Sequence, residues 1–222
     1  MAKEIEFYFD YGSPFSYLAD TQLPALARRN GAEIVYRPIL LGGIFKATGN
    51  ASPITIPAKG KYMMLELERW SRHYGVEIKM NPHFPFNTIR LMRGSVAALQ
   101  QDRFAAYHPA MFRAVWSEGR NVGKEEALRE MLESSGIDPA SIDGDEIKNE
   151  LRANTDQAVA RGAFGAPTFF VNGEMFWGND RLDFVEDASS AGRRICLVRA
   201  RGIHLKRKSA TTQPLEAKRS SR

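Results

Sequence analysis

The residues best placed for chemistry follow the first predicted strand. Ser13 comes after an apolar, β-favouring run at 5–9 and a break at 10–12, and Pro14 follows it. Serine is favoured at the N-cap of a helix and proline at the first helical position, so a helix is predicted to begin here. Its free N–H groups and dipole would favour an anion beside the Ser13 hydroxyl by about 0.3–1 kcal/mol. A thiolate is such an anion; the alternative is that Ser13 is a helix cap and nothing more.

Near the other end of the chain, the sequence predicts a β-hairpin. Strand-favouring residues occupy 168–171 and 175–177, and Asn172-Gly173 between them is typical of a two-residue hairpin turn. Pro167 stands at the start of the first strand, where no ladder N–H is required, and it is a candidate for a cis peptide bond.

These two halves follow the thioredoxin plan, strand–helix–strand and then strand–strand–helix. The chain resembles the 2-hydroxychromene-2-carboxylate isomerases and the kappa-class glutathione transferases, a branch of the DsbA-like thioredoxin superfamily. The resemblance implies an α/β thioredoxin-like fold with a large helical insertion, at about 42–160, between an N-terminal βαβ half and a C-terminal ββα half. It covers residues 3 to about 187 and depends on six segments in order: Asp10-Tyr-Gly-Ser-Pro-Phe-Ser-Tyr-Leu-Ala19, Gly42-Gly-Ile-Phe45 with Thr48-Gly-Asn50, Pro57-Ala-Lys-Gly-Lys-Tyr62, Phe84-Pro-Phe-Asn-Thr88, Gly162-x-Phe-Gly-x-Pro-Thr168 and Phe176-x-Gly-x-Asp-Arg181.

The predicted insertion lacks an alternating strand pattern and is rich in helix formers. Apolar spacing predicts helices at 61–74, 88–104, 106–116, 124–134 and 143–161. Tyr62, Met63 and Trp70 have helical spacing and are predicted to pack rather than to line a pocket. In this superfamily the insertion covers the active site, which implies a cleft for an aromatic substrate beside Ser13.

Cysteine usage excludes one function of this fold. Thiol–disulfide oxidoreductases carry Cys-x-x-Cys where this chain has Ser13-Pro14-Phe15-Ser16, and disulfide exchange requires sulfur at the attacking position. Cys196 is the single cysteine. Thiol chemistry therefore needs an external thiol, and the resemblance implies glutathione. A hydrogen bond from Ser13, together with the helix N-terminus, would lower the thiol pKa from about 8.5 by roughly one to two units.

The resemblance also implies which side chains bind the two ends of glutathione. Lys59, predicted in a loop before a helix, matches the family's partner for a glutathione carboxylate. Asp180 matches the residue that takes the γ-glutamyl ammonium, and Asn179 lies beside the γ-glutamyl carboxylate. The alternatives are a solvated loop lysine and, for Asn179 or Asp180, a cap for the last helix.

Other contacts are implied near the sulfur and the substrate. Asn50 matches an asparagine near the thiol or the substrate, and the backbone of Ala166 and Pro167 is expected to pair with the cysteinyl part of glutathione. Phe86 and Asn87 are candidate substrate contacts. Simpler interpretations are a turn residue for Asn50, and a core residue plus an N-cap for Phe86 and Asn87.

Composition favours one globular domain. Of the 222 residues, 43% are hydrophobic and 10% aromatic. No run approaches the roughly 18 apolar residues of a membrane span, and no secretory signal precedes the first strand, so a cytoplasmic location without a membrane is expected. The four histidines lack metal-ligand spacing, and no metal site is predicted.

The C-terminal segment differs from the rest in charge. Residues 188–222 contain ten lysines and arginines and one glutamate, so their formal net charge is +9. Because the whole chain has a net charge of +5, residues 1–187 carry 5 − 9 = −4. This composition predicts a disordered basic tail after a domain at 1–187. A solvated appendage without function is favoured over a polyanion-binding arm or a change of reading frame, because no aromatic residues interleave with the basic ones.

Residues and resemblance together predict a glutathione-dependent isomerase of 2-hydroxychromene-2-carboxylate or a related aromatic catabolite. Reversible addition of a thiolate to the conjugated carbon would allow bond rotation and give trans-o-hydroxybenzylidenepyruvate. Two alternatives stay open: a kappa-like transferase that leaves glutathione attached to its substrate, and a non-catalytic binding protein with a basic tail. The implied partners are glutathione and a small aromatic substrate, with a homodimer left open.

Overall fold

Strand β1 is the centre of the sheet in the computed structural model, which describes residues 3–190. The strand order is β2-β1-β3-β4, with β1 parallel to β2 and antiparallel to β3, and with β4 antiparallel to β3. The four strands are β1 (Lys3–Phe9), β2 (Ala32–Pro38), β3 (Thr168–Val171) and β4 (Glu174–Trp177).

One helix lies between β1 and β2, six lie between β2 and β3, and one follows β4 within residues 3–190. They are α1 (Pro14–Asn30), α2 (Leu41–Thr48), α3 (Pro57–Tyr74), α4 (Ile89–Gln100), α5 (Phe104–Trp116), α6 (Glu125–Ser134), α7 (Asp145–Ala160) and α8 (Leu182–Ser190). Short 3-10 helices occupy Pro53–Thr55, Ser141–Asp143 and Asn179–Arg181. Within residues 3–190, no helix has the length and apolar character needed to cross a membrane.

Alternation along β1 divides the core between the two faces of the sheet. Ile5, Phe7 and Phe9 belong to the large cluster that includes apolar residues of α1, α4, α5 and α8. Tyr8 points to the other face and joins Phe170 in a smaller cluster with residues of α2 and α7. The sheet is therefore covered by helices on both sides, and the end of β1 is held firmly between them.

The predicted fold class is confirmed, including the helical insertion, since α2 to α7 all lie between β2 and β3. One local prediction was wrong. Helix α3 begins at Pro57 rather than near residue 61, because proline is suited to its first turn, so Lys59 lies in a helix and not in a loop. Helix α8 continues to Ser190, and residues 191–222 of the predicted tail lie outside the described residues.

Candidate active site

The sheet order brings Ser13 beside Ala166. Tyr8, near the end of β1, pairs with Thr168 at the start of β3, so the residues after Tyr8 lie next to those before Thr168. The Ser13 hydroxyl donates a hydrogen bond to the Ala166 carbonyl oxygen at 3.1 Å. The peptide bond from Ala166 to Pro167 is cis, as the sequence suggested.

Ser13 is also the predicted N-cap of α1. Its backbone is extended, with φ −103° and ψ 111°, and its Oγ accepts a hydrogen bond from the Ser16 N–H at 3.1 Å. Pro14 occupies the first turn, and no acidic residue lies there. The N-terminus of α1, where Ser13 lies, is therefore electropositive, and no carboxylate in the first turn of the helix reduces that potential.

Asp10 supports this turn from behind. Its carboxylate accepts hydrogen bonds from the N–H groups of Gly12 and Leu41, both at 2.8 Å, and from the Thr88 hydroxyl at 3.1 Å. The side chain is buried, and burial raises the pKa of Asp10 above its ordinary value, while the three hydrogen bonds act in the opposite direction. One carboxylate thus connects the turn at 10–13 to the starts of α2 and α4.

Tyr11 lies in a second buried network behind the turn. Its hydroxyl lies 3.2 Å from Ser95 Oγ and 3.0 Å from His108 Nδ1, and the other ring nitrogen of His108 lies 2.9 Å from Asp20 Oδ1. The Trp116 indole N–H donates to the Tyr11 carbonyl oxygen at 2.8 Å. These contacts link the turn to α1, α4 and α5, and burial raises the pKa of Tyr11.

In front of Ser13 lies a cleft of about 880 Å³, large enough for a cofactor and a small substrate. Its walls include six aromatic side chains: Phe15, Phe45, Tyr62, Trp70, Phe84 and Trp177. The prediction that Tyr62, Met63 and Trp70 pack rather than line a pocket holds only in part: Met63 is buried with Leu18 and Leu67, but all three residues line this cleft and Tyr62 is 57% exposed. Helical spacing identifies an apolar stripe on α3 but does not show whether that stripe meets a core or a cleft.

Trp177 forms the wall next to Ala166. A Cβ atom at Gly165 would lie 2.6 Å from Trp177 Nε1, so only glycine leaves room for the indole there. The indole also packs against Phe164, with ring centroids 4.8 Å apart. The residues before the cis peptide and the end of β4 therefore form one surface of the cleft.

Lys59 and Asn50 also line the cleft. Lys59 is in the first turn of α3, whose N-cap residue, Ile56, provides no side-chain hydrogen bond, and within residues 3–190 no carboxylate lies within ion-pair distance of its ammonium. Asn50 donates from Nδ2 to the Phe164 carbonyl oxygen at 2.8 Å, which ties the end of α2 to the loop before Ala166. A lysine at the positive end of a helix makes a favourable place for a carboxylate.

Asp180 and Asn179 line the same cleft. The Asp180 carboxylate accepts from Arg181 Nη1 at 2.6 Å and is half-exposed, so it does not cap the last helix. Asn179 is buried, and its Nδ2 has no hydrogen-bond partner within residues 3–190. The cleft thus joins Ser13, Ala166, Pro167, Asn50, Lys59, Asn179 and Asp180, all predicted from sequence.

Phe86 and Asn87 are not among the residues that line the cleft. Phe86 packs against the main core and against Phe84, with ring centroids 6.1 Å apart. Asn87 Oδ1 accepts from the Ile89 N–H at 2.9 Å, at the start of α4. The simpler interpretation as a core residue fits Phe86, but the N-cap of α4 is Thr88 rather than Asn87, and Phe84 is the neighbour that lines the cleft.

Within residues 3–190, no group of three or more His, Cys, Asp or Glu side chains could hold a metal ion. The groups available for chemistry in the cleft therefore include the capped Ser13 hydroxyl, Lys59, Glu66 and Asp180, beside a backbone segment at a cis proline and aromatic walls.

Comparisons with known proteins concern the family and the fold of the chain. The profile of the DsbA-like thioredoxin domain matches residues 4–190. A 2-hydroxychromene-2-carboxylate isomerase of Sphingobium xenophagum is 39% identical and covers 84% of this chain and 97% of its own length. A solved structure of such an isomerase has a TM-score of 0.75 and 33% identity, over 83% of this chain and 93% of that one. Glutathione S-transferase kappa 1 of Homo sapiens is 28% identical over 83% of this chain and 90% of its own.

The fold and the family profile define a DsbA-like thioredoxin protein. Within that class, the chain belongs to the family of the 2-hydroxychromene-2-carboxylate isomerases. The family predicted from the sequence motifs is thereby confirmed.

Proposed function

We propose that the protein is a glutathione-dependent isomerase of 2-hydroxychromene-2-carboxylate or a related aromatic catabolite. The observation that carries the proposal is the Ser13 hydroxyl at the start of α1, next to Ala166 and open to an aromatic-walled cleft. The names of the related isomerases support the reaction, and the kappa-class relatives support the cofactor.

The residues of the cleft fit glutathione. The Ala166 N–H has no hydrogen-bond partner within residues 3–190, and its carbonyl oxygen is bonded by the Ser13 hydroxyl. These two groups are available to the backbone of a cysteinyl residue. Lys59 at the start of α3 suits a carboxylate, and the half-exposed Asp180 suits an ammonium group. The fit depends on a cationic and an anionic side chain that line one cleft.

When bound, glutathione supplies a thiolate that can add to a conjugated carbon and leave again, so that it is returned unchanged. Ser13 donates its hydrogen bond to the sulfur and holds it as the anion. The N-terminus of α1 adds its positive potential, and the absence of acidic residues from that turn avoids repulsion. Phe15, Phe45 and Phe84 exclude water from the substrate's side of the cleft and pack against its ring.

An assay with and without glutathione tests the proposal. Purified protein is given 2-hydroxychromene-2-carboxylate, the isomer is followed by absorbance, and free thiol is measured at the end. We expect isomerisation that requires glutathione and leaves the thiol concentration unchanged. Loss of thiol in proportion to turnover would favour the kappa-like transferase instead. If glutathione produces neither the isomer nor a loss of free thiol, both enzyme functions are contradicted. Ser190→Ala, far from the cleft on α8, serves as the control for Ser13→Ala.

A further inference from the structure

The Ser13 hydroxyl has a single proton, and that proton is already engaged. It is donated to the Ala166 carbonyl oxygen at 3.1 Å, while Oγ accepts from the Ser16 N–H at 3.1 Å. A thiolate can only accept hydrogen bonds, so Ser13 must turn its proton away from Ala166 before it can stabilise a sulfur anion. The catalytic hydrogen bond therefore replaces an existing one.

Rotation of the Ser13 hydroxyl leaves the Ala166 carbonyl oxygen without its hydrogen-bond donor. Ser13 is 4% exposed and its bond to Ala166 is partly buried, so the carbonyl oxygen would lose its donor where water replaces it poorly. A carbonyl oxygen accepts two hydrogen bonds, so a second donor can arrive before the first leaves. Ser13 becomes free at low cost only when something else donates to Ala166.

We propose that the Ala166 carbonyl oxygen is a hydrogen-bond switch, which releases the Ser13 proton to the sulfur only when the bound thiol carries an amide N–H next to the carbon bearing its CH₂–SH group. The inference rests on the proposed function. Glutathione has such an N–H in its cysteinyl residue, and the Ala166 N–H, which has no partner within residues 3–190, can donate to the same cysteinyl residue. The thiol proton passes to solvent.

With this switch, the enzyme distinguishes between thiols by lowering the pKa of the bound thiol, not by how tightly it binds each thiol. A thiol without the amide N–H still binds, because Ser13 continues to satisfy Ala166, but its sulfur receives no hydrogen bond. Serine in place of cysteine at this turn then has a consequence, because its hydroxyl donates a hydrogen bond to the sulfur only when the bound thiol is part of a peptide.

The test compares glutathione with its ester analogue, in which oxygen replaces the cysteinyl amide N–H. Both keep the same charged ends for Lys59 and Asp180. Calorimetric titrations of the full chain over a range of pH give the pKa of each bound thiol. We expect the enzyme to raise the ionisation constant of glutathione by at least about tenfold and that of the ester by less than about threefold. Equal effects on the two thiols would overturn the switch.

A second arm uses Ser13→Ala at a pH well below both thiol pKa values. Replacing N–H by oxygen should weaken binding by less than about fivefold in the wild type and by more than about tenfold in Ser13→Ala, where Ala166 has lost both donors. An ester that fails to bind the wild type would also overturn the switch. If glutathione itself does not bind, the proposed function fails, and the switch with it. If both thiols bind and neither pKa falls, the thiolate role of Ser13 is wrong.

Discussion

The two sides of the turn from Asp10 to Ser13 are built differently. Behind it, Asp10 and Tyr11 hydrogen-bond to partners on α2, α4 and α5 and at the N-cap of α4, including Leu41, Thr88 and His108. In front, Ser13 and Ala166 share one hydrogen bond at the edge of a cleft. The rear positions the turn and the front exchanges partners, so stability and activity should depend on different residues.

The largest effect on stability is expected at the rear. Asp10→Ala leaves the Gly12 and Leu41 N–H groups and the Thr88 hydroxyl without their acceptor, so the free energy of unfolding should fall by about 3 kcal/mol or more. Urea denaturation measures this. Asp187→Ala, an exposed carboxylate on α8, should change it by less than about 0.5 kcal/mol. If Asp10→Ala lowered the free energy of unfolding as little as Asp187→Ala does, the distinction between the two sides of the turn would be contradicted.

The front should show the opposite balance. Ser13→Ala removes a hydrogen bond to a charged sulfur, about 1.5–3 kcal/mol, and should lower kcat/KM by roughly ten- to hundredfold. Because the variant also removes the N-cap side chain of α1, the free energy of unfolding should fall by only about 1 kcal/mol. Steady-state kinetics and urea denaturation on the same samples separate the two. Full kcat and kcat/KM in this variant would contradict the role given to Ser13.

Tyr11→Phe gives a smaller effect at the rear. It removes a hydroxyl that contacts Ser95 and His108, and should cost about 1–2 kcal/mol of unfolding free energy. The glutathione KM should stay within about twofold, since the hydroxyl points away from the cleft. Tyr36→Phe, on a half-buried ring packed against the same histidine, is the control. A change confined to KM would place Tyr11 in the front group.

The pH dependence of stability gives the smallest effect. Because burial raises the pKa of Asp10, the folded state holds its proton more tightly than the unfolded state does. The stability of the wild type relative to Asp10→Asn should therefore be greatest below about pH 3.9 and fall as pH rises through the raised pKa, by less than about 1.4 kcal/mol per unit. Urea midpoints of both proteins over this range test the sign. A difference that grows with pH would show that the three hydrogen bonds outweigh burial.

Local signals in the sequence predicted much of this front. The Ser13-Pro14 cap, the Asn172-Gly173 turn and the cis bond at Pro167 depend on neighbouring residues, and the structure shows all three. Asn172 and Gly173 both have positive φ, as a two-residue hairpin turn requires.

The rear and the aromatic walls could not be predicted in this way. His108 meets Tyr11 across 97 residues, and Trp70 and Phe84 reach the cleft only after the insertion has folded over α1. Apolar spacing on a helix identifies a face but not whether that face meets a core or a cavity. The assignment of Phe86 and Asn87 to the substrate site had the same weakness, because adjacent residues on one segment point in different directions.

The most direct test of the central claim is a calorimetric titration of glutathione into the wild type, Lys59→Ala and Asp180→Ala. Lys61→Ala and Asp187→Ala are matched controls, since neither residue lines the cleft. We predict saturable binding to the wild type and both controls, and dissociation constants about five- to fiftyfold higher in the two cleft variants. No binding by folded wild type, or equal binding by all five proteins, would contradict a glutathione site in this cleft.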